Sequence, residues 1–380
     1  MTGGTVKTKR PYKLDGAIIK LFLQQRFEGV LDELAVDTFK LPLRATKARV
    51  IAFHGFSGHS RQADMKYLGN SLRESWYFFE ALDLPYHGQS VTPDEEALRG
   101  KLPSILPWAR AVHAKTYKAL SLKSKRSIPL YLMGYSAGAI ALLTFLQMFP
   151  DVQKYLAGVI LVAPAFEVDQ NARRWLSLHP HLSKVIEFCE RRSGTAVILD
   201  HSIDLVSRFY PDVFVSRLQA IDPDDNLEYK KDLGLRTAVV LHLAAKRARR
   251  RMSKITTPLL VIHGAKDPVA NVQATRKAFE DAATPMEHKQ LIIYEDGDHH
   301  IMHRAVSDIL EWLNREYARA SYQKVVYGES LLKDMVKIPP VLFFALKGIV
   351  GILVDAVVQL VAIFRDILVR WFLAMKFWKK

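Results

Sequence analysis

Ser136 stands at the centre of Gly134-Tyr-Ser-Ala-Gly138, a Gly-x-Ser-x-Gly spacing between the apolar run Leu130 to Met133 and a helix-forming run from Ala137. Residues of these types at this spacing build a nucleophile elbow. A sharp strand-to-helix turn strains the serine backbone and lifts its hydroxyl clear of the sheet. Glycines two residues away on either side let strand and helix close in. The hydroxyl then lies at a helix N-terminus, where N–H groups and the helix dipole favour developing negative charge. The chemistry open to such a group is attack on an acyl carbon. Serine is a poor nucleophile until an imidazole takes its proton, and the imidazole needs an acid to fix its tautomer and balance its charge.

Two later segments offer those partners. The strand-like run Val261-Ile-His-Gly264 leads into Ala265-Lys-Asp-Pro268, and Leu291-Ile-Ile-Tyr294 leads into Glu295-Asp-Gly-Asp-His-His300. Taken alone, Asp267-Pro reads as a turn and the paired histidines as a helix cap. Taken together, serine, acid and histidine each follow a strand end, in the chain order of an elbow-type triad: Ser136, Asp267, His300. His299 and His300 are adjacent, so only one of them serves as the base. An oxyanion hole needs two backbone donors. The Ala137 N–H supplies one and the Phe56 N–H, after His54-Gly55, the second, with His54 bracing that loop.

The elements that must position these groups follow from hydrophobic patterning. Strands are expected at Arg49–Phe53, Tyr77–Leu82, Leu130–Met133, Gly158–Ala163, Pro258–Gly264 and Gln290–Tyr294, and edge strands within Leu31–Leu43. Helices alternate with them at Gln62–Glu74, Trp108–Leu122, Asn271–Asp281 and His300–Arg319. Alternation of this kind means a mostly parallel sheet covered on both faces. Between Phe166 and Lys254 the alternation stops for nearly ninety residues, too long for a loop, so an inserted subdomain of helices is expected there. The resulting division is an N-terminal segment (1–45), a core (46–166 and 255–319), a helical insert (167–254), a linker (320–338) and a tail (339–380).

The segments His54-Gly-Phe-Ser-Gly-His-Ser60, Asp83-Leu-Pro-Tyr-His-Gly88, Gly134-Tyr-Ser-Ala-Gly138, His263-Gly-Ala-Lys-Asp267 and Gly297-Asp-His-His300 resemble the α/β-hydrolase superfamily. Within it they are most similar to the monoacylglycerol lipase and lysophospholipase group, also called serine aminopeptidase S33-like hydrolases. The resemblance spans roughly residues 46–319. It implies an α/β-hydrolase fold whose insert is a helical cap, and the group's spacing from Gly297 favours His300 over His299 as the base. It further implies a serine esterase or lipase for monoacylglycerol- or lysophospholipid-like esters, working through an acyl-enzyme without metal or organic cofactor. A thioesterase, an S33-type peptidase or an acyltransferase would use the same triad, whereas an intact triad argues against a non-catalytic membrane scaffold. The chain departs from the group at Tyr135 and Ala139, where His and Gly are usual, and at Tyr86, where Gly is common.

The formal net charge of +15 points to an anionic partner. No nucleic-acid module accompanies it, so the expected partner is an anionic membrane surface. The tail from Pro339 is where that surface is expected to bind. Its Leu, Ile, Val and Phe residues fall on one side of a helix, while six basic and two acidic residues share the other. No uncharged run reaches the ~18–20 residues needed to span a bilayer, so the tail reads as an interfacial helix. With a single cysteine, Cys189, and no secretory signal visible, the protein is expected on the cytoplasmic side of that membrane. Other clusters carry less. His303 and Asp308 share a helix by chance, His179-Pro-His181 lacks a third metal ligand, and Asp200-His201-Ser202 reads as a cap. Lys246-Arg-Ala-Arg-Arg-Arg251 reads as a solvated helix end.

Overall fold

The computed structural model describes residues 36–39, 46–91, 96, 98–102, 104–121, 128–167, 214–216, 225–229 and 233–320. The expectations for residues 1–35, for most of the insert with His179, His181, Cys189 and Asp200–Ser202, and for the tail lie outside the described residues. Seven strands form one sheet: β1 (Val36–Phe39), β2 (Ala48–Phe53), β3 (Tyr77–Leu82), β4 (Leu130–Tyr135), β5 (Gly158–Val162), and later β8 (Leu259–Gly264) and β9 (Lys289–Tyr294). Their order is β1-β3-β2-β4-β5-β8-β9, with only β1 antiparallel. The expected edge strand within Leu31–Leu43 is thus β1, paired to β3 from Val36↔Leu82 to Phe39↔Phe79.

Period-two alternation sends successive side chains to opposite faces, and both faces are buried. On one face Ile51, Phe53, Leu132, Leu161 and Val261 pack with α2 (Leu106–Ser121), α3 (Ala137–Met148) and α4 (Leu235–Arg250). On the other Val50, Ala52, Met133, Ile160 and Ile262 pack against α1 (Ala63–Glu74) and α6 (Met302–Ala320). Helix α5 (Val272–Asp281) is capped by the Asn271 side chain, which accepts from the Gln273 N–H at 2.8 Å. Helix α3 is buried along almost its whole length, as its all-round apolar sequence requires.

Register decides where chemistry is possible. Phe53 pairs with Leu82 and with Gly134, Tyr135 with Val162, Val162 with Ile262, and Gly264 with Tyr294. The carboxyl ends of all six parallel strands therefore line up along one edge. From β2 the chain runs outward to β3 and then returns across β2 to β4, so the direction of winding reverses between β2 and β4. Crevices in sheets of this type open at that reversal.

The described part of the insert holds more than helices. Strands β6 (Phe214–Ser216) and β7 (Leu233–Gly234) form a small antiparallel pair before α4. The basic run ends α4, whose inner face buries Leu241, Ala244, Ala245 and Ala248. Arg250 is exposed, and Arg249 pairs with Glu167 at 3.2 Å. Among the described residues, no helix is long and apolar enough to cross a membrane.

Three core histidines give the fold a pH dependence. Burial pushes His54 and His87 down to about 3 and His113 down to about 4, from the usual 6.5. Between those values and 6.5 the unfolded chain binds protons that the folded chain excludes. Stability is therefore full above pH 6.5 and lost as pH falls below it. Each histidine contributes a slope of about 1.4 kcal/mol per pH unit. His113 stacks on Phe149 with ring centroids 4.5 Å apart, so phenylalanine is a tolerable replacement. His113→Phe should flatten the pH dependence of urea-measured stability between about pH 5 and 6 by one proton's worth. An unchanged slope would refute the burial argument.

Candidate active site

The turn between β4 and α3 is strained as the elbow requires. Ser136 has φ 51° and ψ −117°, a region costly for a residue with a Cβ, on the order of 1–3 kcal/mol. Three backbone hydrogen bonds hold it there. Its N–H donates to the Val162 carbonyl at 2.9 Å, and its carbonyl accepts from the N–H groups of Ala139 (3.1 Å) and Ala165 (3.2 Å). The flanking glycines are needed for contact. A Cβ on Gly134 would sit 2.4 Å from Ala139 Cα, and one on Gly138 would sit 2.3 Å from the Phe53 and His54 carbonyl oxygens.

Ser136, His299 and Asp267 form a continuous hydrogen-bonded series. Ser136 Oγ lies 3.0 Å from His299 Nε2, and His299 Nδ1 lies 2.7 Å from Asp267 Oδ2. A carboxylate beside Nδ1 places the proton on that nitrogen and leaves Nε2 to accept from the serine. Asp267 Oδ1 accepts from the Val269 and Ala270 N–H groups at 2.7 and 2.8 Å. Burial pushes the Asp267 carboxyl up, but hydrogen bonds from His263 and His299 outweigh it and hold the group well below the usual carboxylate range.

The expectation of His300 is corrected here. His299 is buried against Ser136, while His300 is exposed and its backbone N–H donates to Asp298 Oδ1 at 2.8 Å. The cause is a turn tighter than the Gly297 spacing suggested. The Lys266 N–H donates to the Gly297 carbonyl at 2.8 Å, and a Cβ on Gly264 would meet the Gly297 and Asp298 carbonyl oxygens within 2.4 Å. The loop is pinned to the end of β8, and the first histidine after it already faces the serine.

The residue before Ser136 helps place His299 against it. Tyr135 O–H donates to the His299 carbonyl at 2.9 Å, and the tyrosine ring stacks on the imidazole with centroids 5.6 Å apart. Burial pushes the phenol strongly up, so it stays a donor. Sequence reasoning noted Tyr135 only as a departure; its adjacency to Ser136 was the available signal. His303 and Asp308 both lie on α6, where Asp308 accepts from the Tyr294 hydroxyl.

The loop after β2 passes directly against the serine: a Cβ on Gly55 would be 3.1 Å from Ser136 Cβ. His54 braces it, with Nδ1 2.7 Å from the Gly55 carbonyl and Nε2 accepting from the Leu84 N–H at 2.9 Å. Asp83 ties the same loop to the one after β3, accepting from the backbone N–H groups of Ser60 and Gln89. The insert reaches this loop as well. His59 Nε2 lies 2.6 Å from Asp225 Oδ2, and the Tyr229 N–H donates to the Ser57 carbonyl at 2.9 Å. Neither Asp225 nor Tyr229 was singled out from sequence, since nothing in their local pattern indicates a contact with residues so distant in the chain. No group of side chains suited to holding a metal ion occurs among the described residues.

Sheet order, elbow and the positions of the three hydrogen-bonded side chains define an α/β-hydrolase. The sequence profile of one hydrolase family, serine aminopeptidase, S33, matches residues 44–304. The chain belongs to that family. Solved structures with the same fold include the monoacylglycerol lipase of Paleococcus ferrophilus (17% identity, TM-score 0.52, covering 74% of this chain and 99% of that one). Another is a soluble variant of monoglyceride lipase from Saccharomyces cerevisiae bound to a substrate analogue (14% identity, TM-score 0.55, 74% and 91% covered). No curated protein matches the chain in sequence.

The two histidines make the geometry testable. His299→Gln should abolish labelling of Ser136 by a fluorophosphonate probe, which requires an activated serine. His300→Gln should leave labelling within about threefold of wild type, because its ring is outside the hydrogen-bonded series. The opposite ranking would return the base to His300.

Proposed function

We propose that this chain is a serine carboxylesterase or lipase that cleaves monoacylglycerol- or lysophospholipid-like esters at a membrane surface. The observation that carries the reading is Ser136 Oγ, 3.0 Å from an imidazole whose other nitrogen lies 2.7 Å from a buried carboxylate. Ser136 attacks the acyl carbon as His299 Nε2 takes its proton, and the carbonyl electron pair moves onto oxygen. The N–H groups of Phe56 and Ala137 receive that oxyanion, an arrangement worth about 2.7–4 kcal/mol per donor. On collapse the alcohol leaves with the proton from His299. Water then repeats the attack on the acyl-serine, giving its proton to His299, which returns it to Ser136. Asp267 stays ionised throughout and balances the imidazolium. The lipases among the structures of the same fold support a lipid ester as substrate.

The family description favours a second reading, removal of an N-terminal residue from a peptide. Ester and amide substrates separate the two. The full chain should hydrolyse p-nitrophenyl butyrate and long-chain monoacylglycerol, and Ser136→Ala should lower both rates by several orders of magnitude while the fold is retained. Faster turnover of aminoacyl p-nitroanilides than of esters would favour the peptidase.

Membrane attachment rests on residues 339–380, half apolar and half cationic by sequence. Each basic residue near an anionic surface adds about 1 kcal/mol, screened by salt. Deleting residues 335–380 should release the protein from anionic vesicles in a flotation assay and leave hydrolysis of the soluble ester nearly unchanged. Equal flotation with and without the tail would sink the anchor.

A further inference from the structure

The hydrogen-bonded series does not end at Asp267. His263, the next-to-last residue of β8, is fully buried, and its Nε2 lies 3.0 Å from Asp267 Oδ2 and 3.2 Å from the Ala270 carbonyl. Both neighbours of Nε2 only accept, so Nε2 carries a proton and donates. On the other side of the ring, Nδ1 lies 2.9 Å from the hydroxyl of Thr275, in the first turn of α5 and also fully buried. With Nε2 protonated, a neutral imidazole accepts from the Thr275 O–H at Nδ1. The series therefore reads Thr275 O–H to His263, His263 N–H to Asp267, His299 N–H to the same carboxylate oxygen, and Ser136 O–H to His299.

We propose that His263 is a positioning residue for the hydrolysis, fixing the Asp267 carboxylate so that one oxygen meets both histidines, with Thr275 holding the His263 ring in register. Oδ1 of Asp267 is anchored by backbone alone, through Val269 and Ala270 in the turn that follows it. Those two bonds come from the turn that follows the acid, so they hold the carboxylate only as firmly as that turn is held. The His263 donor adds a bond to the second oxygen, beside the one from His299. It also ties that oxygen to β8, the strand whose end carries the acid. The base then meets an acceptor whose place is set by the sheet rather than by a turn. His263 touches neither Ser136 nor any reacting atom and acts through Asp267. The inference rests on the esterase reading for its kinetic test, so a second readout that needs no turnover accompanies it.

The test uses purified full-length protein and replaces His263 by Leu, Gln and Asn. Gln sets an amide donor near the position of Nε2, whereas Asn sets it near Nδ1, short of Asp267. His263→Leu and His263→Asn should lower kcat on p-nitrophenyl butyrate about ten- to a hundredfold with KM unchanged, and His263→Gln should restore most of kcat. In histidine-labelled protein, the ¹⁵N shifts of His299 should move in His263→Leu and His263→Asn and return towards wild type in His263→Gln. Should His263→Leu fail to fold, the Gln and Asn variants decide alone. Equal kcat for Gln and Asn, or His299 shifts that ignore all three replacements, would overturn the inference. A wild-type protein inert on esters whose His299 shifts still follow this pattern would overturn the esterase reading and leave the role of His263 standing.

Discussion

The backbone of Ser136 is the constraint on which the rest of the molecule depends. A residue with a Cβ is held at φ 51°, and that conformation persists only because its surroundings over-determine it. β5 supplies the acceptor for its N–H, and the loop after β5 supplies a donor to its carbonyl, so the neighbouring strand must end level with β4. The absence of side chains at Gly134 and Gly138 lets α3 press onto β4 and onto the end of β2. Relaxing the turn would tilt α3 out of a core it fills on all sides. Burial of that helix, together with the backbone bonds at the serine itself, therefore offsets the strain.

Legibility in the sequence followed the range of the interactions. Strand and helix positions were readable to within a residue or two because apolar runs and their breaks are local. β3, for instance, spans Tyr77–Leu82 in both readings. That Ser136 and Asp267 come together was readable because each follows a strand end, and parallel register brings strand ends together. The choice between His299 and His300 was not readable. It depends on a backbone bond from Lys266 to Gly297 and on the Tyr135 hydroxyl, contacts made between segments far apart in sequence. The two-stranded piece of the insert was missed for a similar reason. Leu233–Gly234 is too short for any alternation to show, and only its pairing with Phe214–Ser216 makes it a strand.

Buried polar groups in this core hold loops together. His54 bridges the loops after β2 and β3 as a neutral imidazole, one nitrogen donating and the other accepting. Asp83 does comparable work with two backbone donors. Such contacts contribute only about 0.5–1.5 kcal/mol each to stability, yet leaving either partner unpaired would cost more than the bond contributes. Their effect is on geometry. They fix the Gly55–Phe56 stretch beside Ser136.

The insert enters the same arithmetic from above. Asp225 and Tyr229 reach the loop that carries Phe56 through one charged contact and one backbone bond. Burial pushes the Asp225 carboxyl up, while hydrogen bonds from Leu227 and His59 pull it lower still. The His59 ring is buried and the Asp225 carboxylate mostly so. The importance of the pair is positional, because the loop it grips is already braced from below by His54 and Asp83. With both sides held, the Gly55–Phe56 stretch keeps its place beside Ser136. Under the proposed mechanism the Phe56 N–H would then be a donor fixed before the charge develops, which is the condition under which an oxyanion hole is most effective.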